Sequence, residues 1–414
     1  MSNRKEDVMR DVAVLGVGMT RFGKLPAKGI KDLVREAVED ALNDAGVLKK
    51  DIQSAYIGNA VAGIMTGQEQ IRGQVTLTAM GIEDISMFNI ESACASSSAG
   101  FHLGWMSVAS GLYDCVLVVG FEKLYDKDKF RSFQAFGTAT DIELFQSSFD
   151  ELVKEYSGVE IFKQGSGQNR SIFMDMYAFA IKPYMDNYNL TQKHFAKLSV
   201  KSHKNGALNP HSQYQQEVTL EEVLNSGDVV FPLTRMMCAP VGDGAAAAIL
   251  CSKSMARRFT TKPVWVAGSV IGSGSRNVRR ESTMTERLSS DLYEKTGMGP
   301  EDIDVLEVHD ATSPSEIMSL IQLGICKGED APKWIDEGYL EINGKVPCNT
   351  SGGLVSKGHP VGATGCGQIY EIVTQLKGEA GARQTKNPKV GMTHNGGGII
   401  GIDASAMALH LFEC

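Results

Sequence analysis

Four short stretches carry side chains able to do acid, base or nucleophilic work. Cys94 stands in ESACASSSAG (91–100), between Ala93 and Ala95 and ahead of the serines Ser96 to Ser98. The residues that follow, FHLGWMSVASGL (101–112), have helical periodicity. A thiol at the mouth of that helix meets unpaired backbone N–H groups and the positive end of the dipole, both of which favour a thiolate. Its small neighbours leave room for a substrate. Locally, a nucleophile and a small buried filler are both open for Cys94.

His359 lies in SGGLVSKGHPVGATG (351–365), a glycine-rich run followed by Pro360. Such a run holds a histidine ring rigidly and lets substrate come close, as a general base requires. VLEVHDATSPSE (305–316) ends an apolar strand on His309-Asp310, and GMTHNGGGIIG (391–401) ends another on His394-Asn395 and three glycines beginning with Gly396. A glycine loop of this kind offers free N–H groups to an oxyanion. Four such stretches on strand ends point to one shared site.

The elements that must bring them together are strands alternating with helices. VAVLGVG (12–18), CVLVVG (115–120), PVWVAGSVIG (263–272) and VGMTHNGGGIIGI (390–402) read as buried strands. DLVREAVEDALNDAG (32–46), FHLGWMSVASGL (101–112) and GQIYEIVTQL (367–376) read as helices, so the fold class is α/β. AGVLKKDIQSAYIGNA (45–60) lines up with TGMGPEDIDVLEVHDA (296–311), a diverged internal repeat. Residues 1–260 form the first half and 261–414 the second. A polar segment at about 121–240 has no counterpart in the second half; a lid or cap over the site is the expectation for it, and a surface subdomain with no ligand role is the alternative.

Composition narrows the function classes. The 414 residues carry a formal charge of −8, which argues against nucleic-acid binding. No apolar run is long enough to span a bilayer, so no membrane association is expected. The charged start has no secretory core and the end, LFEC, is not a peroxisomal address, so a reducing cytoplasm is expected. The eight cysteines are scattered without a C-x-x-C pair, so neither a disulfide framework nor a bound metal is expected.

Taken together, the chain resembles the thiolases, and within them the sterol-carrier-protein-2-type and archaeal branch. ESACASSSAG resembles the nucleophile loop, VHDA the His-Asp motif, GHPVGATG the glycine–histidine loop and HNGGG the closing motif. CAPVGDGAAAAIL (238–250) and KLSVKSHKNGALNP (197–210) also match that branch. The resemblance runs from about residue 11 to 410. It implies two βαβαβαββ halves in five αβαβα layers, with a loop domain inserted in the first. It implies an acyltransferase that cleaves 3-oxoacyl-CoA with coenzyme A as co-substrate, or runs the reverse Claisen condensation. By motif position Cys94 is acylated and His359 takes its proton. His309 and His359 bind the enolate oxygen, and the N–H groups of Cys94 and Gly396 form the second oxyanion hole. A homodimer is implied, with a small zinc-ribbon/OB-fold subunit of the DUF35 type as a further partner.

The chain departs from that pattern where thiolases carry a second reactive cysteine. One usual place holds His394, the other Ala311. His394, His359 acting twice, and Cys348 in VPCNTSGG are the candidates for its work. After Ala311 the chain has Thr312-Ser313-Pro314 where relatives place Phe, which suggests a more open and polar acyl pocket. An aromatic 3-oxodicarboxyl-CoA is one substrate that would suit it. Arg276, Arg279, Arg280 and Arg287 form a basic run without an assigned role. Two other functions share these residues: a decarboxylating ketoacyl synthase, and a non-catalytic acyl-CoA carrier or scaffold.

Overall fold

The computed structural model describes residues 9–143, 170–259, 262–275, 282–401 and 403–414. The first half contains β1 (Val12–Met19), β2 (Ser54–Gly58), β3 (Ser86–Ile90), β4 (Cys115–Glu122) and β7 (Gly244–Ser252). The second contains β8 (Val264–Ser273), β9 (Val305–Glu307), β10 (Val390–Ile400) and β11 (Asp403–Glu413). A small ladder of β5 (Asp228–Val230) and β6 (Leu233–Thr234) stands apart. β1, β4 and β7 are buried along their whole length, which is why their sequences are continuous apolar runs rather than alternating ones.

Nine strands pair in the order β3-β2-β4-β7-β1-β8-β11-β10-β9. In the first half β2 runs parallel to β3 and β4, and β7 antiparallel to β4 and β1. The second half repeats this: β9 is parallel to β10, and β11 antiparallel to β10 and β8. Where the first half has β3, the second has a parallel bridge between Leu306 and Cys348. Within the sheet, among the described residues, the halves join through two residue pairs of β1 and β8, Ala13 with Trp265 and Val14 with Val264.

The repeat extends to the turns. The helices Ile30–Ala45 and Met284–Thr296 both end on a left-handed glycine, Gly46 and Gly297. In the short 3-10 turns that follow, Asp51 accepts from Leu48 N at 3.1 Å and Asp302 from Gly299 N at 2.8 Å. The helices Ser96–Ala109 and Thr364–Lys377 are both 14 residues long. Each follows directly on a three-residue 3-10 turn, Ala93–Ala95 and Val361–Ala363. These two helices touch strands of both halves and so form a middle layer. Ile30–Ala45 covers the outer face of the first half and Met284–Thr296 that of the second, giving the five αβαβα layers.

The halves differ in one connection. β11 begins three residues after β10 ends, whereas β7 follows β4 only after residues 123–243. That stretch contains the helices Lys129–Gly137, Ile172–Tyr188 and Gln192–Ala207. Among the described residues no helix is long and apolar enough to cross a membrane.

Candidate active site

Cys94 lies within the 3-10 turn at the head of the Ser96–Ala109 helix. Ala93 before it adopts φ +48, a left-handed conformation that costs a non-glycine residue energy and is held by local bonds. Ala93 N–H donates to Glu91 Oε1 at 2.5 Å, and the Ser96 hydroxyl donates to Ala93 O at 2.6 Å. The serines that follow Cys94 are therefore helix start and clamp, not linker. His359 precedes the matching turn of the second half. Gly120 of β4 lets the two turns meet: a Cβ there would lie 2.4 Å from Gly362 O and from the Ser97 side chain.

The reactive atoms of Cys94, His309 and His359 all lie within 4.8 Å of one another. The two imidazoles pack edge to face, with centroids 5.1 Å apart. Hydrogen bonds give the rings complementary tautomers. The Thr364 hydroxyl donates to Pro360 O at 3.1 Å and stands 2.7 Å from His359 Nδ1. Nδ1–H is thus the donor to Thr364, and Nε2 is left with its lone pair. Asn395 is oriented by the Ser98 hydroxyl, which donates to its Oδ1 at 2.9 Å. Its amide donates to His309 Nδ1 at 3.0 Å, so His309 carries its proton on Nε2. One ring presents a base and the other a donor. Three metal ligands would each need a lone pair, which His309 does not present in this orientation.

Burial decides the charges. It pushes His359 down to about 3, with Lys357 adding to the effect, and His309 well below the usual range. Both rings are neutral at pH 7. Burial also pushes the Cys94 thiol up to about 12, with the Glu122 carboxylate adding, against the smaller opposing pull of the Gly398 and Cys94 N–H groups. The thiolate expected from the helix mouth is therefore not the resting form. Desolvation outweighs the end of the helix.

The other expected residues fall in different places. Gly396 lines the cavity and pairs with Met407, while the N–H that faces the Cys94 sulfur belongs to Gly398. Gly398 has φ +63, which turns the strand so that its N–H points inward. His394 also lines the cavity, but both of its ring nitrogens are engaged. Thr285 donates its hydroxyl to Met407 Sδ at 3.2 Å and so accepts from His394 Nε2 at 3.1 Å. His394 Nδ1 accepts from His309 N at 3.4 Å. The ring holds His309 in place and has no nitrogen left for proton transfer. Cys348 is buried at the sheet bridge with Leu306, outside the cavity, so it does not replace the missing cysteine.

A cavity of about 1000 Å³ opens from Cys94 and the three histidines. Thr312 and Ser313 are buried and do not line it, whereas Ser315 and Ser319 of the same Ser313–Gln322 helix do. Thr312 instead bonds Ser315 at 2.9 Å and bridges Cys238. The expectation that Thr312 and Ser313 polarise the pocket was wrong in its residues. Phe133, Phe136, Phe173 and Tyr177 from the inserted segment form the facing wall. Asn395, Thr364, Gly398, Cys238 and Tyr177 were not singled out from sequence. Thr364, Asn395 and Gly398 stand inside quoted motifs and Cys238 opens a quoted stretch, but none had been given a role; Tyr177 lies in no motif.

Residues 12–254 match the family described as Thiolase, N-terminal domain, and residues 275–409 that described as Thiolase C-terminal domain-like. The chain belongs to the thiolase family. It is 37% identical over 410 residues to an acetyl-CoA acetyltransferase of Methanothermobacter thermautotrophicus, covering 98% of this chain and all of that one. It is 34% identical to the sterol carrier protein 2 of Bos taurus, covering 94% of this chain and 71% of that protein. Among solved structures it resembles an Ltp2-ChsH2(DUF35) aldolase with TM-score 0.76 and 22% identity, covering 98% of both chains. It also resembles the Acat5 thiolase of Ascaris suum in complex with coenzyme A, with TM-score 0.69 and 18% identity over 98% of this chain and 100% of that one. These last two likenesses establish the thiolase fold. The chain is an acyltransferase of the thiolase type.

Of the basic run in this thiolase, Arg276, Arg279 and Arg280 lie outside the described residues. Arg287 donates to Ser282 O at 2.5 Å and stands 3.7 Å from Asp403. Its charge is spent within the second half.

Proposed function

We propose that this thiolase cleaves a 3-oxoacyl-CoA through a covalent acyl-Cys94 intermediate. The observation that carries it is the convergence of Cys94, His309 and His359 within 4.8 Å, with opposite tautomers on the two rings. Cys94 gives its proton to His359 Nε2 as its sulfur bonds to the 3-oxo carbon. The oxyanion forms against the N–H groups of Cys94 and Gly398. Its collapse breaks the C2–C3 bond and moves the electron pair onto the oxygen of the departing thioester. His309 Nε2–H and the new His359 imidazolium hold that enolate oxygen. A proton at C2 completes the first product, and coenzyme A then takes the acyl group from Cys94.

The substrate we infer is an acyl chain larger than acetoacetyl, of the aromatic 3-oxodicarboxyl type. The wall of phenylalanines and Tyr177 supplies aromatic contacts. Arg170 and Lys182 also line this cavity, each already paired with an aspartate, Asp175 and Asp186. A homodimer with a small DUF35-type subunit is the assembly we infer; the likeness to the Ltp2-ChsH2(DUF35) aldolase supports the small subunit. A reducing cytoplasm suits the free thiols.

Intact mass after mixing with candidate 3-oxoacyl-CoA substrates tests the proposal. An acyl adduct that vanishes in Cys94→Ala is expected. Thiolysis that survives in Cys94→Ala refutes covalent catalysis, and a kcat/KM higher for acetoacetyl-CoA than for any aromatic dicarboxyl substrate refutes the substrate class.

A further inference from the structure

The mechanism above lacks one group: something must protonate the enolate at C2. The positions where a second cysteine is expected hold His394 and Ala311, and His394 has both ring nitrogens engaged. Cys348 is outside the cavity. Cys238 lines it, but its thiol donates to Thr234 O at 3.5 Å, away from the reacting atoms.

Tyr177 stands differently. It lies midway along the helix Ile172–Tyr188, which packs on the helix Ser313–Gln322, and it lines the cavity with Cys94, His309 and His359. The helix is pinned at both ends. Asp175 is buried and paired with Arg170 at 2.6 Å, and Tyr184 Oη accepts from Gln322 Nε2 at 2.9 Å. Ala178 and Ile181 face the core. Among the described residues the Tyr177 hydroxyl makes no hydrogen bond, and the side chain shares the wall of one cavity with Cys94. A phenol in such a place is available to a bound ligand.

We propose that Tyr177 is the acid that protonates the departing enolate at C2 and the base that then accepts the proton of the coenzyme A thiol. This rests on the thiolase chemistry proposed above. In the first transfer the Tyr177 O–H bond breaks and a C–H bond forms at C2, leaving a tyrosinate. In the second the coenzyme A S–H bond breaks, Tyr177 O–H re-forms, and the coenzyme A thiolate bonds to the carbonyl of acyl-Cys94. The Cys94 sulfur leaves and recovers its proton from the His359 imidazolium. A thioester α-carbon is a weaker acid than a phenol and a thiol is a stronger one, so both transfers run downhill. Burial raises the phenol further and keeps it protonated at rest.

Tyr177→Phe in the full chain is the test, because it removes one oxygen and keeps the ring. Two measurements are compared with the unaltered protein. One is exchange of the α-protons of acetyl-CoA and succinyl-CoA into deuterated water. The other is the burst of Cys94 acetylation by 4-nitrothiophenyl acetate, whose leaving thiolate needs no proton, with Cys94→Ala as the blank. The α-proton exchange is expected to fall about 10²-fold, the usual scale for losing a general acid or base, and the burst to stay within about threefold. A loss of exchange below about tenfold, or equal losses in both measurements, overturns the assignment. Absence of the burst in the unaltered protein instead overturns the nucleophilic role of Cys94 on which it rests.

Discussion

Replacing His359 by alanine separates the two protons that the resting site holds. The Cys94 thiol, raised to about 12 by burial and by Glu122, has about one molecule in 10⁴ as thiolate at pH 8. In the unaltered protein this scarcity is masked, because neutral His359 takes the proton as the sulfur attacks. In His359→Ala only the pre-formed thiolate reacts. A loss of roughly 10³–10⁴ in the acylation rate at pH 8 follows, at the upper end of what a general base supplies. The rate of the variant then climbs about tenfold per pH unit from pH 7 to 10. The unaltered protein shows no acid inflection near 6.5, since His359 stays neutral down to about 3. Single-turnover acylation followed by intact mass across this pH range is the assay. The variant should fold, because the Thr364 hydroxyl keeps its bond to Pro360 O when the ring is gone. A plateau of the variant near pH 8.5, or a loss under tenfold, refutes the buried-thiol account.

Further outcomes follow from the same geometry. Thr364→Val keeps the shape but frees the His359 ring to take either tautomer, so kcat should drop about tenfold with KM little changed, checked by steady-state kinetics. Gly398→Ala forces φ +63 on a residue with a Cβ and sets that carbon 2.4 Å from Ser405 Oγ; a loss of about 10² in kcat is expected, read beside denaturant melts. Lys357→Met leaves Glu307 buried without its partner, which stands 3.2 Å away, and should cost about 3–5 kcal/mol in urea unfolding. Acid should unfold the protein from pH 6.5 downward. His359 and His410 are held to about 3 and His394 to about 4 when folded, so the unfolded chain binds more protons below 6.5. Each contributes about 2 kcal/mol of lost stability by pH 5, measurable as a falling Tm between pH 7 and 5.

Much of the site was legible because its residues sit in short runs whose composition is dictated locally. Glycines and small residues around Cys94 and His359 announced close backbone approach. The periodicity of the runs announced strand and helix, and the spacing of 45–60 against 296–311 announced the duplication. Those features are properties of neighbouring residues, and a sequence displays neighbours. The helix starts at Ser96 and Thr364, earlier than the apolar periodicity suggests, because the small polar residues there are clamped by side-chain bonds.

What the chain order could not display is which side chains spend their polar atoms on one another. His394 and Asn395 are adjacent in sequence, yet one is tied off by Thr285 and His309 while the other aims its amide at His309. Alternation along a strand sends neighbours to opposite sides, and only packing decides which side holds the substrate. Tyr177 lies far from every motif, on a segment the second half lacks, and reaches Cys94 only because that segment folds back over the cavity. The charge of Cys94 was likewise settled in three dimensions. Sequence by itself determined that a thiol stands at a helix mouth, and the depth of burial, which depends on every layer around it, determined that the thiol keeps its proton until His359 takes it.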